Sequence, residues 1–331
     1  MRVAIVGGIY NRSPDERNSI TPTPEENLAV GLELHGFEVQ RIGLNDFSEI
    51  SSCQFDVMHV HHLAKGTLVA ARRSGPKIFT YHANNFNLEL KRRIAQRVVE
   101  LRFQKLICLS QSEKDTRVAA SKNLLVKMEV VPNGMSFESF KSIERKFNDQ
   151  DEFKLLFVGQ LLPVKRVHLI LEALATLPEH VTLRMVYHND TLFAELRALA
   201  ERLQIATRVT FVGKLGPTEL VVEYLNAHLL VLPSQTEALP SVVTEALATG
   251  LPVVAMRTGG ISEQVGLAGV VEAIDNAGDL TNSIRLIGNS YPQFAKTAFT
   301  RSQQIPQEYS LQAMVDRHIA IYTRILDKGS S

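Results

Sequence analysis

The sequence predicts an α/β protein made of two Rossmann-like domains. Short β-branched segments alternate with longer amphipathic ones, which is the pattern of βα units around parallel sheets. The chain has 331 residues, about twice the usual size of one domain, and 45% of them are hydrophobic. A polar stretch at 141–152 separates two such series. We therefore predict domains at 1–140 and 153–308, joined by a linker and facing each other across a cleft.

The first series opens with a predicted strand at 2–6, followed by a polar, turn-rich segment. Thr23-Pro24-Glu25-Glu26 then has capping-box spacing with proline at the first helical position, so a helix is expected to run from Pro24 to about His35. The other strands of this domain are predicted at 38–42, 56–61, 77–81, 105–109 and 128–131. Its other helices are predicted at 66–74, 86–102 and 111–119.

The second series has the long apolar strands of a buried parallel sheet. Its strands are predicted at 153–159, 181–187, 208–213, 229–232 and 252–255. Its helices are predicted at 165–177, 191–203, 217–226 and 240–249. The remaining segment, 309–331, contains one more predicted helix at about 309–327.

Composition excludes several classes of protein. Lys and Arg number 36 against 35 acidic residues, so a net charge of +1 gives no field that would favour nucleic acid. Cys53 and Cys108 are the only cysteines, which rules out a disulfide framework and fits a reducing cytosol. No apolar run approaches the ~20 residues that span a bilayer. The first residues suit a strand better than a signal peptide, so we expect a cytoplasmic protein.

Two carboxylates, Glu237 and Glu245, flank the predicted start of a helix at Pro240. The first-turn amides of a helix lack helical partners, and with the helix dipole they can hold a diphosphate, while nearby carboxylates can accept hydrogen bonds from sugar hydroxyls. On spacing alone, the alternative interpretation is that Glu237 is an ordinary solvated loop residue and Glu245 an ordinary helix residue.

Longer motifs carry a family resemblance. The segment 233–254, with Thr258-Gly259-Gly260 and Glu263 after it, resembles the signature of the family 4 nucleotide-sugar glycosyltransferases, also described as glycosyl transferases group 1, which have the GT-B fold. Segments 157–174 and 130–140 resemble the family's phosphate-binding unit and the end of its N-terminal domain. The resemblance covers most of the chain and is strongest from 130 to 265.

This resemblance implies a retaining hexosyltransferase that moves a sugar from a nucleotide diphosphate sugar, such as a UDP-sugar, to an acceptor. The acceptor would be a glycan, a lipid carrier or a small molecule seated by the N-terminal domain. No other cofactor and no metal are implied, and no Asp-any-Asp box follows a strand, since His188-Asn189-Asp190 has one carboxylate. The family pattern also implies that the C-terminal helix crosses back to the first domain.

Residue roles follow from the same resemblance. Glu237 would contact the transferred sugar, Glu245 would hold the ribose, and Lys165 would stabilise the diphosphate. Gln160 stands where the family usually has an arginine, and Arg166 where a glycine is more usual, so donor binding is expected to be weaker or altered.

The remaining donor contacts come from loops. Ala238, Leu239 and Pro240 continue the loop of Glu237, and Lys214 follows a strand end that resembles the loop packed on the base. Gly7 and Gly8 follow the first strand and either form a simple tight turn or the family's donor-facing glycine loop, whose bare backbone approaches a ligand. They do not form a GxGxxG motif, which disfavours a dehydrogenase.

Histidines cluster in the first half. His59, His61 and His62 lack an obvious carboxylate partner and resemble a common GT-B strand end, so we reject a metal site there. His82 resembles the active-site histidine of several family members, which contacts the sugar or the acceptor. The alternative is a histidine satisfied in the core or at its rim.

A basic segment at 91–105 carries six cations and one carboxylate, with Leu90, Ile94, Val98 and Leu101 on one helical face. It is either a solvated helix packed by its apolar stripe or a weak peripheral contact with an anionic membrane. Two other functions remain open for the whole chain: a GT-B epimerase or phosphorylase, and a catalytically silent nucleotide-sugar-binding protein, which Gln160 favours.

Overall fold

The computed structural model describes residues 1–18, 23–82, 90–148 and 151–327. It contains two parallel six-stranded sheets, which confirms the predicted fold class. The chain divides into two compact units, Met1–Ser136 with Tyr309–Ser331, and Phe137–Glu308. Each sheet is covered by helices that follow its strands, as expected where both faces of a parallel sheet are buried.

The first unit contains six strands and seven helices within the described residues. Its strands are β1 (Arg2–Gly7), β2 (Glu38–Gly43), β3 (Val57–His61), β4 (Lys77–Thr80), β5 (Lys105–Cys108) and β6 (Met128–Val130). Its helices are α1 (Pro14–Asn18), α2 (Pro24–Leu34), α3 (Phe47–Ser52), α4 (Lys65–Arg72), α5 (Leu90–Arg102) and α6 (Gln111–Ala120), with α15 (Leu311–Asp327) added from the end of the chain.

The second unit repeats the alternation of strand and helix. Its strands are β7 (Phe153–Gly159), β8 (Val181–Tyr187), β9 (Val209–Gly213), β10 (Leu229–Leu232), β11 (Val253–Met256) and β12 (Gly269–Glu272). Its helices are α7 (Val167–Thr176), α8 (Phe193–Arg202), α9 (Pro217–Asn226), α10 (Ser241–Ala248), α11 (Ile261–Val265), α12 (Ala277–Asn289) and α13 (Tyr291–Ser302), followed by α14 (Ile305–Tyr309) at the boundary between the units.

Strand order gives each sheet one point where the direction of chain progression reverses. The first sheet has the order β2-β1-β3-β4-β5-β6, and the second has the order β12-β11-β10-β7-β8-β9. All of the strand pairs are parallel, so the carboxyl ends of the strands share one edge of each sheet. The reversals lie between β1 and β3 and between β10 and β7, where open α/β sheets bind ligands.

The first sheet is packed on both faces. Alternate residues of β1 point to opposite sides, so Ala4 and Val6 join the core under α4 and α5, while Val3 and Ile5 join the core under α2 and α15. Helix α15 contributes its apolar stripe to that second core as Met314, Val315, Ile321, Tyr322 and Ile325. The C-terminal helix is therefore an integral layer of the first unit.

The structure differs from the sequence prediction in one helix cap and in two short helices. Helix α2 begins at Pro24 as predicted, but the Thr23 side chain makes no capping hydrogen bond, and Glu26 pairs with Arg41 at 3.1 Å instead. Residues 86–89 of the predicted helix 86–102 lie outside the described residues. Helix α1 occupies part of the segment predicted as turns, and α3 was not predicted.

The segment 141–148 belongs to the second unit, where the ring of Phe147 packs against Phe153 and Tyr291 and one charged side chain is buried. Arg145 is buried, and its guanidinium donates hydrogen bonds to the carbonyls of Tyr224, Ala227 and Thr249 at 2.6 to 2.9 Å. Two of these carbonyls belong to the residues that end α9 and α10, where a cation complements the helix dipole. A stretch that is polar in sequence thus ties two helix ends together.

The contact between α2 and α15 leaves no room for a side chain at Gly31. A Cβ there would lie 2.2 Å from Val315 Cγ2, whereas a Cβ at Gly288 in α12 would meet nothing within 4 Å. Replacing a helical glycine by alanine gains up to about 1 kcal/mol in helix propensity, but overpacking costs about 1 to 3 kcal/mol.

We therefore expect Gly31→Ala to lower the free energy of unfolding and the matched control Gly288→Ala to raise it. Calorimetric melting of both variants beside the parent protein measures the difference. Equal stabilisation by the two substitutions would contradict the tight α2–α15 contact.

Candidate functional site

The reversal point of the second sheet brings together two residues that are 72 positions apart. Lys165 lies in a single 3₁₀ turn after β7, and Glu237 lies in the loop after β10. Lys165 Nζ contacts Glu237 Oε1 at 2.5 Å, and the two side chains are only 20% and 12% exposed. The predicted diphosphate cation and the predicted sugar-binding carboxylate are thus neighbours at the edge where this class of sheet binds ligands.

Backbone and side-chain hydrogen bonds fix the loop that carries Glu237. The amide of Gln235 donates to Val164 O at 2.8 Å, which joins this loop to the turn of Lys165. The amide of Gly260 donates to Ala238 O at 2.7 Å, and buried Gln264 donates to Pro240 O at 3.1 Å. The Thr258-Gly259-Gly260 motif therefore supports the loop that contains Ala238, Leu239 and Pro240.

Helix α10 starts directly after this loop. It begins at Ser241, one residue after the predicted Pro240, and the N-cap residue Pro240 makes no side-chain capping hydrogen bond. The first-turn amides lie at the positive end of the helix dipole, where an anion is stabilised, and the amide of Val243 donates to Pro240 O at 3.2 Å.

Glu245 lies in the second turn of α10 and is half-buried. The hydroxyl of Tyr224, a fully buried residue of α9, donates to Glu245 Oε2 at 2.6 Å. Burial raises the pKa of the Glu245 carboxyl, and the hydrogen bonds from Tyr224 and Ser241 oppose that shift. One carboxylate oxygen is thus held by the protein core, and the carboxylate is oriented by a neighbour that sequence reasoning missed.

The departures from the family pattern have a structural explanation. The amide nitrogen of Gln160 lies 3.0 Å from His188 Nε2, so this pair occupies the end of β7 without a fixed cation. Arg166 adopts a left-handed conformation with φ of 52°, which accounts for the glycine usual at that position. Its guanidinium donates to Asp275 O at 3.1 Å.

Lys214 lies away from the contact of Lys165 with Glu237. It follows β9, the edge strand of the second sheet, and two strands separate it from β10 in the sheet order. Its side chain is exposed. Gly213 before it has φ of 85°, which explains the glycine at that turn.

The glycine pair after β1 packs against a buried carboxylate. A Cβ on Gly7 would lie 2.9 Å from Cγ of Glu25, the buried second residue of α2, so this position tolerates only glycine. A Cβ on Gly8 would lie 3.7 Å from the His62 ring and would fit. Gly8 also opens a 3₁₀ turn that ends at Asn11, so the pair does form a tight turn.

Glu25 and His62 form a pair that the sequence analysis did not recognise. His62 Nε2 lies 3.5 Å from Glu25 Oε1, and His62 has a left-handed backbone with φ of 70°, which is uncommon outside glycine. Burial raises the pKa of Glu25, but the hydrogen bond from His62 and the other favourable contacts lower it to about 2. Glu25 is therefore an anion at the reversal point of the first sheet.

The other histidines form a buried array on β3 and β4. His61 Nδ1 lies 2.7 Å from His82 Nε2, and His59 stacks on His61 with ring centroids 4.3 Å apart. The two nitrogens of His59 contact Tyr322 Oη and Thr80 Oγ1, both at 2.7 Å. Burial lowers the pKa of His59, His61 and His82, so these imidazoles are neutral near pH 7.

No group of three His, Cys, Asp or Glu side chains within the described residues has the arrangement to hold a metal ion. The histidine array instead uses its ring nitrogens in hydrogen bonds to one another, to Tyr322 and to Thr80. In the same part of the chain, no helix is long and apolar enough to cross a membrane.

The apolar stripe of the basic helix α5 is largely solvent-exposed. Leu90, Ile94 and Leu101 are 71%, 59% and 64% exposed, while Val99 is buried and holds the helix on the sheet. The cations Lys91, Arg92, Arg93, Arg97 and Arg102 are exposed as well. Of the predicted stripe, Val98 packs against the core beside Val99, whereas Leu90, Ile94 and Leu101 do not pack the helix as expected.

Two parallel Rossmann-like sheets place this chain in the GT-B class of folds. Residues 139–297, just under half of the chain, match the family model of glycosyl transferases group 1. The D-inositol 3-phosphate glycosyltransferase of Mycobacterium sp. (strain KMS) is 28% identical over 255 residues, which make up 70% of this chain and 58% of that protein. The chain thus matches little more than half the length of this relative.

Solved structures agree with the fold. A sucrose-phosphate synthase of Thermosynechococcus elongatus is similar with a TM-score of 0.79 at 17% identity, over 99% of this chain and 100% of that one. HepE of Anabaena in complex with UDP-glucose is similar with a TM-score of 0.74 at 18% identity, over 98% of this chain and 100% of that one.

Proposed function

We propose that the protein is a retaining, metal-independent glycosyltransferase that transfers a hexose from a nucleoside diphosphate sugar to a hydroxyl group of an acceptor. The observation that carries this proposal is the contact of Lys165 with Glu237, in the loop that leads into the amino end of α10. A cation and the amino end of a helix suit a diphosphate, and a carboxylate near them suits a sugar. The UDP-glucose complex of HepE, a protein of the same fold, supports this class of donor.

The donor is proposed to lie along the loop and helix after β10. The α10 amides and Lys165 hold the diphosphate, Glu237 accepts hydrogen bonds from the sugar, and Glu245 accepts one from the ribose. Glu245 suits the ribose because a carboxylate can accept about four hydrogen bonds, so the bonds from Tyr224 and Ser241 leave acceptor capacity. Ala238, Leu239 and Pro240 line the donor between the two carboxylates, and Gln160 and Lys214 are further proposed contacts.

The acceptor is proposed to bind the first unit, at the carboxyl ends of β1, β3 and β4. His82 is proposed to contact the sugar or the acceptor, and Gly7 and Gly8 are proposed to face the donor. Glycans, lipid carriers and small polyols all supply the required hydroxyl. Because one relative is named for D-inositol 3-phosphate, an inositol phosphate is the first acceptor that we would assay.

The chemistry needs no protein nucleophile. The bond between the anomeric carbon and the diphosphate oxygen breaks, and the bond to the acceptor oxygen forms on the same face of the sugar. The acceptor proton passes to the departing diphosphate. Lys165 stabilises the charge that develops on this leaving group, which is electrostatic catalysis. An ammonium has three donors, so Lys165 can keep its contact with Glu237 while it contacts a phosphate oxygen.

A catalytically silent nucleotide-sugar-binding protein is the second candidate, favoured by Gln160 and its contact with His188 in place of a cation. A charge-assisted hydrogen bond contributes roughly 1.5 to 3 kcal/mol, so its loss weakens binding or slows departure of the diphosphate.

An assay of nucleotide release from a panel of nucleotide sugars separates the possibilities. Acceptor-dependent release supports transfer, interconversion of donor sugars indicates an epimerase, and binding without turnover indicates the silent protein. The same assay after dialysis against EDTA tests metal independence.

The two glutamates should have unequal roles. Glu237→Gln is expected mainly to lower kcat because it perturbs the reacting sugar, and Glu245→Gln mainly to raise the donor KM because the ribose contact is the same in ground and transition states. Loss of one charged hydrogen bond implies roughly ten- to a hundredfold effects. Steady-state kinetics of both variants with the donor varied measure this difference.

Bare nucleoside diphosphate, which carries the ribose without the sugar, is the control ligand. Its affinity should fall in Glu245→Gln and hardly change in Glu237→Gln. A glutamine at 245 still offers an oxygen to the Tyr224 hydroxyl, so the fold should be retained. The reverse pattern, or full activity in both variants, contradicts the assignment.

We also propose that α5 makes a weak peripheral contact with anionic membranes. Its exposed apolar side chains Leu90 and Ile94 flank the exposed cations Lys91, Arg92 and Arg93, the composition of a helix that lies at a lipid surface. Each basic residue near an anionic surface contributes about 1 kcal/mol at most. The combined contact is therefore reversible and sensitive to salt.

Replacing Arg92, Arg93 and Arg97 together by Gln should reduce sedimentation with phosphatidylserine vesicles by about tenfold or more. Vesicles of phosphatidylcholine alone serve as the control, and donor affinity should be unchanged because α5 belongs to the other unit. Absence of vesicle binding by the parent protein would make α5 a plain surface helix.

A further inference from the structure

The contact between His61 and His82 restricts where the protons of both rings can lie. The nitrogens Nδ1 of His61 and Nε2 of His82 are 2.7 Å apart, and the ring planes differ by 23°. A hydrogen bond of this length needs one N–H and one lone pair. Either His61 donates to His82 or His82 donates to His61.

The other nitrogen of His61 decides between these two arrangements. His61 Nε2 is buried and has no hydrogen-bond partner in the part of the chain that the structure describes. If His82 donated, neutral His61 would carry its proton on Nε2, and a buried N–H without a partner costs roughly 1 to 3 kcal/mol. If His61 donates through Nδ1, its Nε2 carries only an acceptor lone pair without a partner. In proteins, buried donors without a partner are rarer than buried acceptors without one.

The surrounding groups keep the array neutral and in place. His59 stacks on His61, and both of its own nitrogens are held by Tyr322 and Thr80, so it cannot turn to meet His61 Nε2. The ring centroids of His62 and His82 are 4.7 Å apart, and Glu25 of α2 contacts His62. The ring of His318 in α15 lies near the ring of His59. Burial is the main reason that the pKa values of His61 and His82 are lowered.

We propose that His61 is a positioning residue that fixes His82 as its Nδ1–H tautomer. Because His82 Nε2 is occupied as an acceptor, a ligand can reach only Nδ1, where it meets an N–H. His82 then donates a hydrogen bond to an oxygen of the sugar or acceptor and is not a general base. This role rests on the proposed transferase function, whereas the tautomer itself is a property of the free protein.

Nitrogen-15 NMR of the histidine rings in the free protein tests the tautomer directly. Long-range proton–nitrogen correlations distinguish Nδ1–H from Nε2–H, and His82→Asn identifies the His82 signals by their loss. We expect Nδ1–H on both His61 and His82 at pH 7. An Nε2–H proton on His82 overturns the proposal.

Two variants of His61 test the positioning. An asparagine amide nitrogen lies near the position of imidazole Nδ1, so His61→Asn keeps a donor toward His82, whereas His61→Leu removes it. We expect His82 to remain Nδ1–H in His61→Asn and to become a mixture of tautomers in His61→Leu, with a roughly tenfold lower kcat in the latter. An unchanged His82 tautomer in a folded His61→Leu protein refutes the positioning role.

A matched pair of His82 variants tests the donor role. Asparagine places an amide donor near the position of Nδ1, whereas glutamine places it near that of Nε2. His82→Asn should therefore retain at least tenfold more kcat than His82→Gln, and equal kcat values would contradict the donor role. If no nucleotide sugar is bound or turned over, the proposed function fails while the NMR result still decides the tautomer.

Discussion

Parallel strand pairing is the constraint on which the rest of the structure depends. It forces every connection to cross back over the sheet, and it places the carboxyl ends of all strands on one edge. Where strand order reverses, the two central loops leave in opposite directions and cannot cover the edge. Lys165 and Glu237 lie at one such opening, and Gly8 and His62 lie at the other.

The site residues are held by neighbouring residues that form no recognisable sequence motif. Tyr224 holds one oxygen of Glu245, Gln264 and Gly260 hold the loop of Glu237, and Arg145 joins the ends of the two helices that carry Tyr224 and Glu245. These contacts lie within the protein, so the loop of Glu237 and helix α10 are arranged without a ligand. Local arrangement is also what the proposed diphosphate site depends on, because a net charge of +1 gives the chain no overall positive field.

Sequence reasoning located strands well where apolar runs are buried, as at β7 and β10, whose observed bounds match the predicted ones. It failed where the determinant is a contact distant in sequence. Arg145 belongs to a stretch predicted as a linker because charged residues are usually solvated, yet carbonyls at two helix ends satisfy its guanidinium. Glu25 fitted a capping pattern, and only the fold shows it buried against Gly7 and His62.

The position of α15 has a consequence for the order of events during synthesis. The second unit is one continuous stretch, 137–308, whereas the first unit needs both ends of the chain. Val3, Ile5 and Leu28 share a core with Ile321 and Tyr322, and the hydroxyl of Tyr322 contacts His59. Although domains generally fold in the order in which they leave the ribosome, here the unit translated first is completed last, and α2 alone covers only part of its apolar sheet face until α15 emerges.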